Sequence, residues 1–424
     1  MLASISPAIL EENVYRLARF GTRHTLSDIS STERGIGAAR RWIKSQFDHY
    51  STESGRTGET ALRAYFDEHL QRPDGDRINR QVTIANVVAE LPGRMPEARG
   101  RRYYVIGHYD SRASDPMDSK SDAPGSNDDA SGVSVVMELA RTMSRYEYDS
   151  TLIFMATAGE EQGLYGAWHH ARTAREKGID IRAVLSNDIV GDPSVVSGPP
   201  QNSRVRLFSE GLPTSAGDNE MTEILGLSGE SDSPSRQLAR AIDEVAAWHF
   251  LSVQPMLVFR QDRFLRGGDH SAFNEFGYSA VRFTVVEENY DRQHQDIREE
   301  NGVRYGDRPE YVDGEYMAGV ARINASALAH LANAPSAPGR TRIIVAELAN
   351  DTTLRWSPSP EPDVAGYEIV WRETTASTWQ QVHDAGKVTE ITLPMSKDNY
   401  FFGVRAYDAE GYRSPVSFPR AADD

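Results

Sequence analysis

At 424 residues, with 39% hydrophobic and 25% charged residues, the chain reads as soluble and globular and is too long for one ordinary domain. No apolar run approaches the roughly 20 residues needed to span a bilayer. The absence of cysteine excludes disulfides, cysteine-ligated zinc and a thiol nucleophile, and the formal net charge of −16 argues against a nucleic-acid partner.

Residues 6–80 read as helical. Ile9, Val14, Leu17, Ala18 and Phe20 recur at helical spacing, and Ala38, Ala39, Trp42, Ile43 and Phe47 share one face of a second segment. A third helix is expected over 61–70. The pattern then changes. Runs at 84–91, 103–107, 151–156 and 181–185 read as strands, the middle two nearly continuous in apolar residues as for buried strands. Helices are expected over 131–148 and 164–177, the second stopped by Gly178. This alternation predicts an α/β fold with a mostly parallel central sheet sandwiched by helices. Residues 192–230 read as long loops, 235–250 and 318–333 as helices, and 256–259 and 280–284 as strands. A linker, Ala334-Pro335-Ser336-Ala337-Pro338-Gly339, leads into short alternating runs divided by turns. These predict a C-terminal all-β sandwich. The expected division is 1–83 helical, 84–334 α/β and 335–424 sandwich.

Five short segments carry chemistry. His108 and Asp110 directly follow an apolar strand, where an open α/β sheet places its ligands. A neutral imidazole is a good zinc ligand, and a carboxylate two residues on can orient it. Asp128 sits in a Gly-rich turn before a helix; alone it reads as an Asx turn or cap. Glu160 and Glu161 follow the strand at 151–156, where adjacent carboxylates repel unless a cation or proton intervenes. One ligating metal and the other moving a proton would resolve that repulsion. Asp188 ends the next strand, and His270 lies in Gly267-Gly268-Asp269-His270. Each alone has a bland structural reading. Together they form one ligand set without duplication.

From about residue 84 to 333 these motifs resemble the co-catalytic di-zinc aminopeptidases, a family typified by secreted bacterial leucine-type enzymes. The resemblance implies two Zn2+ per chain, with Asp128 bridging both, His108 and Asp188 completing one site, and Glu161 and His270 the other. Glu160 would be the general base and Asp110 the carboxylate beside His108. The implied reaction is hydrolysis of the N-terminal bond of a peptide with a free N-terminus, by a metal-bound hydroxide. His294 is a candidate for substrate contact or ligand support, and Tyr290 for a hydrogen bond to the oxyanion. The Trp356, Tyr367 and Tyr400 segments resemble a fibronectin type III domain. Such a module implies contact with protein or carbohydrate, and its removal is expected to spare activity on small peptides.

Three rivals remain at this stage. Arg260, Arg263 and Arg266 keep open a carboxypeptidase or dipeptidase on the same fold. A glutaminyl cyclase would use a single zinc, and a non-catalytic binding protein would leave the site idle. The first residues carry neither a basic nor a long apolar leader segment. The lack of cysteine and the resemblance point to a periplasmic or secreted protein, with a cytoplasmic one left open.

Overall fold

The computed structural model describes residues 1–196, 198–346 and 348–422. Position 197 of the expected loop region and positions 347, 423 and 424 of the expected sandwich lie outside them. In chain order, α1 (Pro7–Ala18) and α2 (Ile36–Glu53) precede β1 (Arg63–Gln71), β2 (Val82–Leu91) and β3 (Arg101–His108). Next come α3 (Ser131–Met143), β4 (Thr151–Thr157), α4 (Tyr165–Glu176), β5 (Asp180–Asn187) and β6 (Arg204–Ser209). They are followed by α5 (Asp218–Gly226), α6 (Pro234–Trp248), β7 (Gln254–Val258), α7 (Asp269–Glu275) and β8 (Ala280–Thr284). A small hairpin, β9 (Arg298–Glu300) and β10 (Val303–Tyr305), leads to α8 (Gly314–Asn333).

Eight strands form one sheet in the order β1-β2-β4-β3-β5-β8-β6-β7. The four central strands β4, β3, β5 and β8 are parallel, and the flanks add the antiparallel pairings β1–β2, β2–β4 and β6–β8. The α/β expectation is borne out, with a mixed sheet that is parallel at its centre and again in the edge pair β6–β7. Those central strands are buried over most of their length, wholly so in β4 and β8, because helices cover both faces. One apolar core joins α1, α2, α3 and α8 to one face, and a second joins α4 and α7 to the other.

Two elements depart from expectation. The segment expected as a third helix is β1, an edge strand paired with β2. Its Ala64 and Phe66 are half-buried while Arg63 and Tyr65 are exposed, a period of two that outweighs its helix-compatible composition. The sheet therefore begins ahead of residue 84. Within the expected loop region, β6 inserts between β8 and β7, and α5 follows it. Val205, Leu207 and Phe208 are buried there, in a strand too short to stand out amid Ser, Gly and Pro.

The C-terminal part has two facing sheets. One holds β15 (Glu390–Leu393), β12 (Thr352–Ser357), β11 (Gly339–Ile344) and β17 (Arg420–Ala422), and the other β14 (Gln381–Gly386), β13 (Val364–Glu373) and β16 (Tyr400–Asp408). Their shared core contains Leu354, Trp356, Tyr367, Ile369, Phe402 and Val404. This unit is docked through ion pairs, most of them buried. Arg372 of β13 donates to Asp232 at 2.7 Å, which also accepts from Arg240 of α6. Arg405 of β16 joins Glu368 of its own unit to Glu244 of α6, both at 2.7 Å. Trp379 Nε1 donates to Gln237, and Arg101 pairs with Glu361.

Deleting the sandwich removes the cations that pair with Asp232 and Glu244 and uncovers the α6 face they sit on. A chain ending at Asn333 is therefore expected to unfold at a clearly lower temperature than the full chain, whether or not it keeps activity on small peptides. Equal melting temperatures in a thermal scan would overturn this.

Among the described residues, no helix is long and apolar enough to cross a membrane.

Candidate metal centre

Parallel neighbours end side by side, so the exits of β4, β3, β5 and β8 open onto one crevice. His108 is the last residue of β3, Glu160 and Glu161 follow β4, Asp188 follows β5, and the segment after β8 carries His294. Asp128 comes from the turn between β3 and α3. That turn lies close against its neighbours: a Cβ added to Gly132, at the start of α3, would meet the Asn187 carbonyl at 2.0 Å. Only glycine lets α3 approach β5 so closely.

Two groups of ligand atoms result. His108, Glu160 and Asp188 form one, and Asp128, Glu161 and His294 the other, each with ligand atoms within 4.8 Å of one another. Asp128 spans them, with Oδ1 3.1 Å from His108 Nε2 and Oδ2 3.0 Å from His294 Nε2. His294 Nε2 is also 3.0 Å from Glu161 Oε2. Glu160 Oε2 and Asp188 Oδ1 lie 4.0 and 3.9 Å from His108 Nε2. The donors are nitrogen and oxygen atoms of buried or half-buried side chains, a set that suits zinc.

The surroundings hold these side chains in place. Asp110 accepts from the N–H groups of Glu160 and Glu161 at 3.3 and 3.1 Å, and its Oδ1 stands 3.6 Å from His108 Nδ1. Asp110 thus ties the β3 exit to the β4 exit. Asp129 accepts from the N–H groups of His108, Gly132 and Ile189. Asp307 accepts from those of Asn127 and Asp128. Arg23, fully buried, donates to the carbonyls of Leu17, Tyr109, Pro124 and Gly125. Arg112 lies 2.9 Å from His294 Nδ1, and Gln293 donates to Asp128 Oδ2 at 2.8 Å.

The acids crowd one another. Burial pushes the Glu160 carboxyl well above its ordinary range; the His108 charge opposes this, and Asp188 and Glu161 add to it. Burial likewise raises Asp269 and Asp307, each to about 7. Asp128 goes the other way: burial resists, but His294 and His108 outweigh it and hold its carboxyl well below the usual range. For His294, burial disfavours the charged ring, yet Glu161 and Asp128 prevail and push it up to about 10. A divalent cation in each group would relieve the same crowding that these protons relieve.

His270, expected as a ligand, is not brought to the cluster. The Gly267-Gly268 approach opens into α7, which puts His270 on the first turn of a helix. Its Nε2 lies 2.9 Å from the Gln261 carbonyl and 3.6 Å from Asp262. Fully buried Arg282 stands between Asp262 and the cluster, pairing with Asp262 and Asp188 at 2.9 Å each. The histidine grouped with Asp128 and Glu161 is His294. Tyr290 is 61% exposed, with its hydroxyl 3.4 Å from Arg266. Arg263 and Arg266 both donate to Glu288, and Arg260 stacks on Phe264, so two of the three arginines held for a rival reading already share an internal acid.

Residues 86–307 match the model of peptidase family M28. A probable zinc metalloprotease of Leptosphaeria maculans is 44% identical over 419 residues, which cover 99% of this chain and 96% of that protein. The LapA aminopeptidase of Legionella pneumophila has a similar fold, with a TM-score of 0.55 and 18% identity over 78% of this chain and 72% of its own. A glutaminyl cyclase of Fimbriiglobus ruber gives 0.51 and 19% over 76% and 94%.

Proposed function

Because the chain belongs to peptidase family M28, we propose that it is a zinc-dependent aminopeptidase that binds two zinc ions and removes residues from the free N-terminus of peptides. The observation that carries this reading is the position of Asp128. One carboxylate lies within about 3 Å of both His108 and His294 and so serves both groups. With Asp128 shared, His108 and Asp188 complete one group and Glu161 and His294 the other. Glu160 is then the carboxylate left over.

Zinc, when bound, acts as a Lewis acid on the scissile carbonyl and lowers the pKa of water toward about 7. The chain's own residues do the rest. Glu160 takes the proton from the attacking water and passes it to the leaving amine, a task suited to the one carboxylate of the cluster left free of a ligand role. Asp110 holds Glu160 and Glu161 by their backbone and sets the distance between base and ligands. A free α-amine would bind beside the Asp128 and Glu161 group, which selects the end of the chain. Residues 335–424 are proposed as a fibronectin type III-like unit fixed to this domain.

The test is metal content together with hydrolysis of an aminoacyl-anilide panel, before and after chelation and zinc add-back. Two zincs per chain, with activity that disappears on chelation and returns on add-back, is the expected result. Cleavage of N-acetylated peptides from the C-terminus would move the function to a carboxypeptidase. Cyclisation of N-terminal glutamine at one zinc per chain would move it to a glutaminyl cyclase.

A further inference from the structure

A cleft of about 600 Å3 lies where the C-terminal sandwich meets α5, α6 and the neighbouring loops. None of its lining residues belongs to the metal centre. The size falls in the usual range for small-molecule sites, which favour domain boundaries. Ile224, Leu227, Leu238 and Phe418 give it an apolar wall.

Its charge is unbalanced in one direction. Glu220 and Glu223 are both taken by Arg420, at 2.6 and 3.0 Å. Asp232 is taken by Arg240 and Arg372. The cations are not all matched. Arg340 and Arg342 line the cleft, and among the described residues neither has an acidic partner. The register sharpens this. Arg355 of β12, Arg342 of β11 and Arg420 of β17 are direct cross-strand partners, so three guanidinium groups stand in one row on one face. Like charges directly opposite on a sheet are destabilising. Arg355 is relieved by Glu390 and Arg420 by its two glutamates, which leaves Arg342 in the middle uncompensated. Arg101, also in the lining, has a side chain only 4% exposed, and its buried Nε has no hydrogen-bond partner.

We propose that this cleft binds a small organic acid, its apolar body against Phe418 and Leu227 and its carboxylate on Arg342, with Arg340 and Arg101 beside it. Planar guanidinium groups pair with carboxylates through two parallel hydrogen bonds, and the row of cations holds them ready. Because the lining comes from both structural units, such a ligand joins them and raises the melting temperature of the whole chain.

The probes are 4-phenylbutyrate, 4-phenylbutanamide and 4-phenylbutylamine, titrated calorimetrically into the full chain. The acid is expected to bind one per chain, the amide at least tenfold more weakly, and the amine not at all. Arg342→Met is expected to weaken binding of the acid at least tenfold while leaving the melting temperature of the free protein unchanged or raised, since it removes a like charge from the row. Arg340→Met, at an exposed position, is expected to weaken it several-fold. Equal binding of acid and amide, full affinity in both variants, or no saturable binding of the acid would each overturn the proposal.

Discussion

Glu160→Gln is expected to leave metal content unchanged and to lower turnover by roughly three orders of magnitude, within the range of about 10²–10⁴ typical of a positioned general base. Gln keeps the shape and the backbone N–H donated to Asp110, but it cannot accept and return a proton. Asp128 serves both groups, so neither depends on Glu160 for a ligand. The measurement is zinc stoichiometry alongside kcat on an aminoacyl-anilide. A loss of less than tenfold in kcat would remove Glu160 from the proton-moving role. Loss of a metal ion would make it a ligand instead.

His294→Ala and His270→Ala are expected to differ in kind. Altering a residue that only supports a ligand costs about 10–100-fold in metal affinity, so loss of a ligand itself should exceed roughly 100-fold. His294→Ala should therefore bind one zinc tightly and one weakly. His270→Ala should keep two tight sites and instead melt earlier, because the Gln261 carbonyl loses its partner inside a packed turn. Zinc titration in the presence of a competing chelator separates the cases. Two tight sites in His294→Ala, or one in His270→Ala, would reverse the placement of the two histidines.

Much of this centre was legible in the chain. Strands buried on both faces are continuous apolar runs, so the ends of β3, β4 and β5 were visible, and with them the crevice that receives His108, Glu160, Glu161 and Asp188. The histidine after β8 was harder. Gly267-Gly268-Asp269-His270 looks like a flexible loop, but the seven residues of α7 are too few to show a helical period. The segment bearing His294 has no periodicity at all, and its histidine is positioned by Arg112 and the facing acids Asp128 and Glu161. Arg23 left no trace, because its task is to satisfy carbonyls more than 80 residues away in sequence. Edge strand β1 hides its period of two because its exposed side carries residues that also suit a helix.

The charges between α6 and the sandwich have one more consequence, for how this chain can change over time. Units joined by an apolar patch can be exchanged for any partner of similar shape. Here a replacement sandwich would have to present a cation to Asp232 where Arg372 stands and another to Glu244 where Arg405 stands. Each would have to arrive already placed, since otherwise Asp232 would keep Arg240 alone and Glu244 would lose its cation. The two parts are thus bound to a shared history. Substitutions at 232 and 244 should be tolerated in descendants only when 372 and 405 change with them, and grafting the sandwich onto another protein should fail unless α6 travels too.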